Sequence, residues 1–184
     1  MDKLTSHLHD EHPENVAIQL IPNKKQPVKG ARYLGGMWTW EKFDDYKTKL
    51  ARQGKAFDIG ILAKSLFVLD ADNQDMIHYL ESTFPALKTV PMESTRKGAH
   101  YFMLRTPLCN QLGLYDKASC FMSLESPGQV LNIDLKTLSK SQPFKDGYST
   151  PGLITVCPSE GKEHSCKAFN LKMTVCGHCV TVRV

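Results

Sequence analysis

Two carboxylates end a strongly apolar segment of this sequence. Residues 66–72 read LFVLDAD, so a run of strand-forming residues leads directly into Asp70 and Asp72. Side chains two residues apart on a strand share one face, and lie about 6–7 Å apart along the chain. Two like charges at this spacing are unfavourable unless a cation lies between them, and Mg²⁺ or Mn²⁺ suits carboxylate oxygens. The alternative is a polar turn in which Asp72 and Asn73 begin the next helix.

A basic turn followed by a histidine is the second chemical group. Residues 94–102 read STRKGAHYF. Arg96, Lys97, the backbone N–H groups around Gly98, and His100 are the donors that a phosphate group requires. A histidine that begins an otherwise apolar strand is also typical of a hydrogen-bonded structural residue, and this interpretation stays open.

A third carboxylate lies within a later apolar strand. Residues 130–137 read VLNIDLKT, and the two-residue period puts Asp134 and Lys136 on one face. A carboxylate on a buried strand needs a partner, either Lys136 or a metal ion. Together, Asp70, Asp72 and Asp134 could form a two-metal site, with cationic groups nearby for a triphosphate.

Alternating helices and strands must position these groups. Thr39 is predicted to cap a helix that Gly54 ends, and Asn73 a second helix that Pro85 ends. Strands dominate later, which indicates an α+β (mixed α/β) fold with helices packed on one side of a sheet. Strands are predicted over residues 16–21, 57–62, 66–70, 89–94, 99–104, 121–124, 130–135, 153–156, 174–175 and 180–184.

The composition is that of an ordinary globular protein. The chain has 184 residues, 41% of them hydrophobic and 23% charged, which excludes a disordered or collagen-like chain. No apolar run is long enough to span a membrane. Residues 1–14 are polar and lack the apolar centre of a signal peptide, so we expect a flexible arm and an intracellular, non-secreted protein. The formal net charge of +4 permits a nucleic-acid partner without requiring one.

Basic and sulfur-containing side chains offer two further sites. Lysines and an arginine in a loop rich in Lys, Gly and Pro are candidates for contacts with DNA phosphates, although a solvated basic loop is the commoner explanation of such a run. A zinc site near the end of the sequence is a weaker candidate, because only one of its ligand pairs has CxxC spacing. We expect reduced thiols there rather than zinc or a redox pair. The loop residues are Lys24, Lys25, Lys29 and Arg32, and the zinc candidates are Cys157, His164, Cys166, Cys176 and Cys179.

The order of these motifs resembles the archaeo-eukaryotic primase superfamily, specifically the bifunctional primase–polymerase (Prim-Pol) domain of plasmid, viral and phage replication proteins. The resemblance covers roughly residues 16–169. It begins with AIQLIPNKKQP, whose Lys25 and Pro27 match a KxP-like loop, and with the aromatic helix WTWEKFDDY. It continues through FDIGIL, FVLDAD, STRKGAHYF and NIDLKT, and ends with LITVCPSEGKEHSCKAF.

The resemblance implies a template-dependent nucleotidyltransferase that extends or synthesises primers on single-stranded DNA from dNTPs or NTPs. Its implied fold is a single catalytic domain over residues 15–184, with an N-terminal α/β portion at about 15–65. An RRM-like sheet at about 66–184 would carry the acids. A helicase or another replication protein is an implied further partner, and no membrane is involved.

The resemblance also implies roles for individual residues. Asp70, Asp72 and Asp134 would bind two Mg²⁺ or Mn²⁺ ions and, with His100, form the catalytic set. The incoming nucleotide would be held by residues of the basic turn and of later segments, namely Arg96, Lys97, Gly98, His100, Lys136, Ser159 and Lys167.

Three positions depart from the family pattern. Gly98 stands where the family often has Ser, Cys157 where it often has Pro, and Cys166 where it often has Gly. One phosphate or backbone contact is therefore in doubt at Gly98. Efficient priming in relatives often involves extra domains, so we expect strand extension ahead of priming without a primer.

Two other functions are consistent with short strings. An RRM-like binding module would use Tyr101 or Phe102 to stack on bases, with binding that ignores metal ions. An HUH-type nicking endonuclease would use His7 and His9 as metal ligands and Tyr46 as its nucleophile. The sequence leaves open the preferred nucleotide and metal, and the oligomeric state.

Overall fold

The computed structural model describes residues 3–29, 38–111, 117–126, 129–137, 152–156 and 162–163. Its helices are α1 (Lys3–Glu11), α2 (Trp40–Arg52), α3 (Gln74–Thr83) and α4 (Pro107–Gln111), with a 3₁₀ helix at Pro85–Thr89. Its strands are β1 (Ala17–Leu20), β2 (Asp58–Ala63), β3 (Leu66–Ala71), β4 (Met92–Thr95), β5 (Ala99–Leu104), β6 (Lys117–Ser126), β7 (Gln129–Lys136), β8 (Gly152–Val156) and β9 (Lys162–Glu163).

The strands form two antiparallel sheets in a mixed α+β arrangement. The small sheet has the order β1-β2-β8 and the large sheet the order β6-β7-β3-β5-β4-β9. Only Lys64 and Ser65 separate β2 from β3, yet the two strands belong to different sheets. The small sheet therefore meets the large sheet at this short turn.

Each face of the large sheet packs against a different hydrophobic core. Leu66, Val68 and Phe102 belong to a first core shared with the small sheet, α1 and α2. The intervening Phe67 and Tyr101 belong to a second core, shared with α3. This alternation follows the two-residue period of a strand. Side chains in step with Leu66 and Val68 therefore face the small sheet.

Residues 1–14 differ from the loose arm predicted from their polarity. Residues 3–11 form α1, in which Leu4 and Leu8 are fully buried in the first core. These two leucines are four residues apart, so they lie on one side of the helix and attach it to the core. Packing on the rest of the protein, rather than an apolar sequence, thus stabilises α1.

The predicted helix ends are confirmed. Lys42 N donates to Thr39 Oγ1 at 3.3 Å, and Met76 N donates to Asn73 Oδ1 at 2.9 Å. Gly54 has φ of 60°, the left-handed conformation expected just after a helix. The strands predicted at 174–175 and 180–184 lie outside the described residues. Within the described part of the chain, no helix combines the length and apolarity needed to cross a bilayer.

Candidate active site

Strand register places four polar residues in one row across the large sheet. Asp70 on β3 pairs directly with Asp134 on β7 and with His100 on β5. His100 in turn pairs with Glu93 on β4. Directly opposed residues of an antiparallel sheet share a face, and for Asp70 this is the face of Val68, towards the small sheet. Three motifs that are distant in the sequence therefore meet here.

The ring of His100 lies between two carboxylates. Its Nε2 is 3.3 Å from Asp70 Oδ1, and its Nδ1 is 3.0 Å from Glu93 Oε2. Glu93 is fully buried and His100 is nearly so. A neutral imidazole has one N–H to donate, so a ring that faces carboxylates on both sides suits the doubly protonated form. Buried charges are tolerated when they are paired in this way.

Asp134 forms an ion pair with its neighbour on the same strand face. Lys136 Nζ lies 2.7 Å from Asp134 Oδ2. The sequence left Lys136 and a metal ion as alternative partners for this carboxylate, and the structure has the lysine in contact with it. The contact is short enough to be a strong charge-assisted hydrogen bond.

Asp72 extends the acidic group beyond the end of β3. Partial desolvation raises its pKa, and the negative charges of Asp70 and Asp134 raise the pKa further. Lys136 and Lys25 lower this pKa by smaller amounts. Among the charges that act on Asp72, the two carboxylates therefore outweigh the two lysines. The helix cap is made by Asn73, as the hydrogen bond to Met76 N shows.

Gly98 allows the basic turn to approach the acidic strand. Thr95 N donates to Gly98 O at 2.8 Å, so Arg96 and Lys97 form the tip of the β4–β5 hairpin. A Cβ atom on Gly98 would lie 1.7 Å from the carbonyl oxygen of Ala71. Close packing against β3, rather than the conformational freedom of a turn residue, is what requires glycine here. This packing holds the hairpin tip near Asp72.

A loop of the small sheet places a positive charge near the same acids. Ile21 N donates to Gln26 O, and Asn23 N donates to the buried Asp58 carboxylate, both at 2.8 Å. These bonds fix the loop that carries Lys25, whose charge acts on Asp72. The exposed Lys24 and Lys29 belong to the same segment. The described contacts connect neither of them to the acids.

The donor set suits a hard divalent cation. The site offers carboxylate oxygens of Asp70, Asp72 and Asp134, and its excess negative charge favours a bound cation. Among the described side chains, however, no three such groups are already arranged as ligands of one ion. Asp134 and Asp70 instead contact Lys136 and His100. To bind a metal ion, Asp70 and Asp134 must either use their second oxygen atoms or give up their contacts with His100 and Lys136.

Several predicted site residues lie outside the described part of the chain. They are Arg32, Ser159 and Lys167, together with the zinc candidates Cys157, His164, Cys166, Cys176 and Cys179.

Sequence reasoning missed Glu93, although a signal was present. A two-residue turn at Arg96 and Lys97 sets the register of its hairpin. Counting back from that turn puts Glu93 directly opposite His100, as observed. A carboxylate directly opposite a histidine in a hairpin predicts a pair.

Details of the two rival functions do not fit the geometry. Tyr101 and Phe102 are fully buried, so neither ring is available to stack on a base. Burial also raises the pKa of Tyr101, whose hydroxyl donates to Glu81 on the α3 side of the sheet. His7 and His9 lie on a helix, where positions two apart point in widely different directions. They do not form the convergent pair that an HUH-type metal site requires.

No protein-family model matches this chain, and no curated protein is significantly similar to it.

Proposed function

We propose that this protein is a template-dependent nucleotidyltransferase of the primase–polymerase type, which extends or synthesises primers on single-stranded DNA. The observation that supports this proposal most is the direct pairing of Asp70 with Asp134, with Asp72 just beyond the end of β3, where the charges of both act on it. Three neighbouring carboxylates are the ligands that a two-metal nucleotidyl transfer needs.

Asp70, Asp72 and Asp134 would hold two Mg²⁺ or Mn²⁺ ions. When bound, such ions lower the pKa of the attacking 3′-hydroxyl and balance charge on the leaving pyrophosphate. Besides the desolvation that raises the pKa of Asp72, the negative charges of Asp70 and Asp134 act on it, and these charges support cation binding at this position. Lys136 would move from Asp134 towards a phosphate when an ion takes its place.

Positive groups on two sides of the acids would hold the triphosphate and the template. The hairpin tip supplies Arg96 and Lys97, and the small sheet supplies Lys25. Basic side chains that face developing charge stabilise the transition state. Lys24 and Lys29 would contact template phosphates next to the site, without reading the bases.

The two-sheet architecture is also consistent with a Prim-Pol core. In that arrangement the small sheet with α1 and α2 corresponds to the N-terminal portion, and the large sheet corresponds to the RRM-like part that carries the acids. Support comes from the shared first core and from the acids on the face that looks towards the small sheet.

Primer extension on single-stranded template tests the proposal directly. The assay uses Mg²⁺ and Mn²⁺ separately, dNTPs and NTPs separately, and templates with and without a primer. Asp70→Asn should lower the rate by about three decades, because it removes several kcal/mol of transition-state stabilisation. Asp45→Asn, an exposed carboxylate on α2, is the matched control and should retain the wild-type rate.

Incorporation by the wild type and by Asp45→Asn, together with its loss in Asp70→Asn, would support a metal-dependent polymerase. Products formed without a primer would add primase activity. Strand binding with no incorporation under any condition would contradict the proposal and favour a nucleic-acid-binding module.

A further inference from the structure

Glu93 is a buried carboxylate at a strand position where an apolar side chain is typical. It is fully buried, and Met92 beside it and Tyr101 and Phe102 on the paired strand pack in the first or the second core. Burying a carboxylate costs free energy unless a charged or hydrogen-bonding partner compensates. Glu93 Oε2 lies 3.0 Å from the Nδ1 atom of His100, so an explanation of Glu93 starts from this histidine.

Glu93 selects one orientation of the His100 ring. A half-turn about the Cβ–Cγ bond would exchange both nitrogens with carbon atoms, which cannot donate to carboxylates. The contacts of 3.0 Å to Glu93 and 3.3 Å to Asp70 hold only in the observed orientation. The ring of Phe102 stands edge-on to His100, with centroids 6.1 Å apart, and borders it on the same face.

We propose that Glu93 is a positioning residue that acts through His100 on Asp70. By accepting from Nδ1, Glu93 directs Nε2 to Asp70 Oδ1 and so fixes the rotamer of that carboxylate. The direction from which a divalent cation meets Asp70 then depends on a side chain two strands away. This role rests on the proposed function, because it gives Asp70 the part of a metal ligand.

Under this proposal His100 orients Asp70 and does not bind the triphosphate, which is the role that the resemblance implied for it. Both of its ring nitrogens already face carboxylates, and the basic hairpin tip remains to meet phosphate groups. Groups that hydrogen-bond to a metal ligand typically change metal affinity or activity by about 10–100-fold when removed. We expect an effect of this size from Glu93.

Two substitutions at Glu93 distinguish its effect on the orientation of the His100 ring from the effect of its negative charge. Glu93→Met removes the acceptor but keeps the length of the side chain. Glu93→Gln keeps an oxygen acceptor for Nδ1–H and removes the charge. Glu81→Met is the matched control, because Glu81 accepts from Tyr101 on the opposite face of the same strand at 3.0 Å.

The measurement is a titration of the full chain with Mn²⁺, in which electron paramagnetic resonance reports the concentration of the unbound ion. We expect Glu93→Met to weaken binding by about 10–100-fold. Glu93→Gln should stay within about threefold of the wild type, and Glu81→Met should match it. The metal requirement of primer extension should shift in parallel, with the KM for nucleotide nearly unchanged. Thermal unfolding of each variant confirms that it is folded.

A double variant tests whether Glu93 acts through Asp70. In an Asp70→Asn background, Glu93→Met should cause no further loss of Mn²⁺ affinity. Wild-type affinity in Glu93→Met, equal losses in Glu93→Met and Glu93→Gln, or additive losses in the double variant would each overturn the proposal. So would the absence of Mn²⁺ binding by the wild-type chain. Mn²⁺ binding with the expected pattern but no polymerisation would leave the proposal standing and contradict the proposed function alone.

Discussion

At the residue scale, burial and the neighbouring carboxylates change the pKa of Asp72. Its side chain is exposed, yet partial desolvation and the charges of Asp70 and Asp134 raise its pKa above the ordinary value of 3.8. The folded protein therefore holds the Asp72 proton more tightly than the unfolded chain does. Ionised Asp72 accordingly opposes folding at neutral pH in the absence of a bound cation.

Asp72→Asn should stabilise the folded protein at neutral pH in the absence of divalent metal. The gain should be below about 1 kcal/mol, because water screens an exposed side chain. The cost of wild-type Asp72 appears as pH rises through its raised folded pKa, and it is absent below the unfolded value of 3.8. Denaturant unfolding at about pH 7 and about pH 3 measures both ends. A variant that is less stable at neutral pH would contradict this.

With divalent metal bound, the wild type should become more stable than Asp72→Asn. Mg²⁺ or Mn²⁺ bound only to the folded state stabilises it, by about 2.7 kcal/mol at a hundred times its Kd. Thermal melting with metal and with a chelator should show this gain in the wild type. The gain should vanish in Asp134→Asn. An equal gain in that variant would remove Asp134 from the site.

The residues of the candidate site differ in how far sequence could predict them. Asp70, Asp72 and Asp134 follow from strand patterns and from the order of motifs. The role of Glu93 depends on its pairing with His100 across strands, which the alternation of a single strand does not give. The side-chain contacts of His100 likewise depend on distances that only the assembled sheet sets.

At the element scale, the β4–β5 hairpin and the end of β3 fit together without space for a side chain at residue 98. A Cβ on Gly98 would overlap the backbone of Ala71, and backbone cannot move aside as a side-chain tip can. The Prim-Pol pattern that the sequence resembles often has Ser at this position. In this chain a serine would push the hairpin, and with it Arg96 and Lys97, away from Asp72.

Gly98→Ala should destabilise the protein by about 1–3 kcal/mol, as overpacking does, and should also abolish nucleotide incorporation. Gly54→Ala is the matched control. Its φ of 60° makes alanine strained, but no atom lies within 4 Å of the added Cβ. It should cost about 1 kcal/mol and leave activity intact. Denaturant unfolding and primer extension report the two effects. Full activity in Gly98→Ala would contradict the steric role.

Local signals predicted most elements but not all. The caps at Thr39 and Asn73 and the glycine at residue 54 were confirmed because capping is decided by a few adjacent residues. Helix α1 was missed because it has few apolar positions and depends on contacts elsewhere. Strand β9 has two residues, too few for a pattern, and forms by pairing with β4.

At the scale of the whole molecule, one core joins both sheets. The first core includes Leu4 and Leu8 from α1, Ile61 from the small sheet, and Val68 from the large sheet. The N-terminal helix therefore contributes to the same packing that holds the acid-bearing face opposite the Lys25 loop. The division into two sheets could not be predicted from the sequence, because only two residues separate β2 from β3 and yet the two strands lie in different sheets.

Leu8→Ala should lower the free energy of unfolding by about 2–5 kcal/mol, because it leaves a cavity in the first core. Glu11→Ala, at an exposed position of the same helix, should change it by less than about 0.5 kcal/mol. Denaturant unfolding of both variants is the test. Equal stability of Leu8→Ala and wild type would show that α1 is dispensable.

Hydrogen bonds fix the short turn between β2 and β3, where the two sheets meet. Asn15 Oδ1 accepts from Lys64 N and Ser65 N, both at 2.9 Å, and Arg105 N donates to Ser65 O at 2.6 Å. The strand β3 starts at this junction and ends at the acids, six residues and about 20 Å away.

In mechanical terms, any rotation between the sheets would take this junction as its pivot and β3 as its lever arm. For an arm of about 20 Å, each degree of rotation between the sheets displaces the far end by about 0.3 Å. The displacement is greatest at Asp70 and Asp72 and smallest at Ser65. A rotation of about three degrees between the sheets would therefore change the gap between the Lys25 loop and the acids by about an ångström.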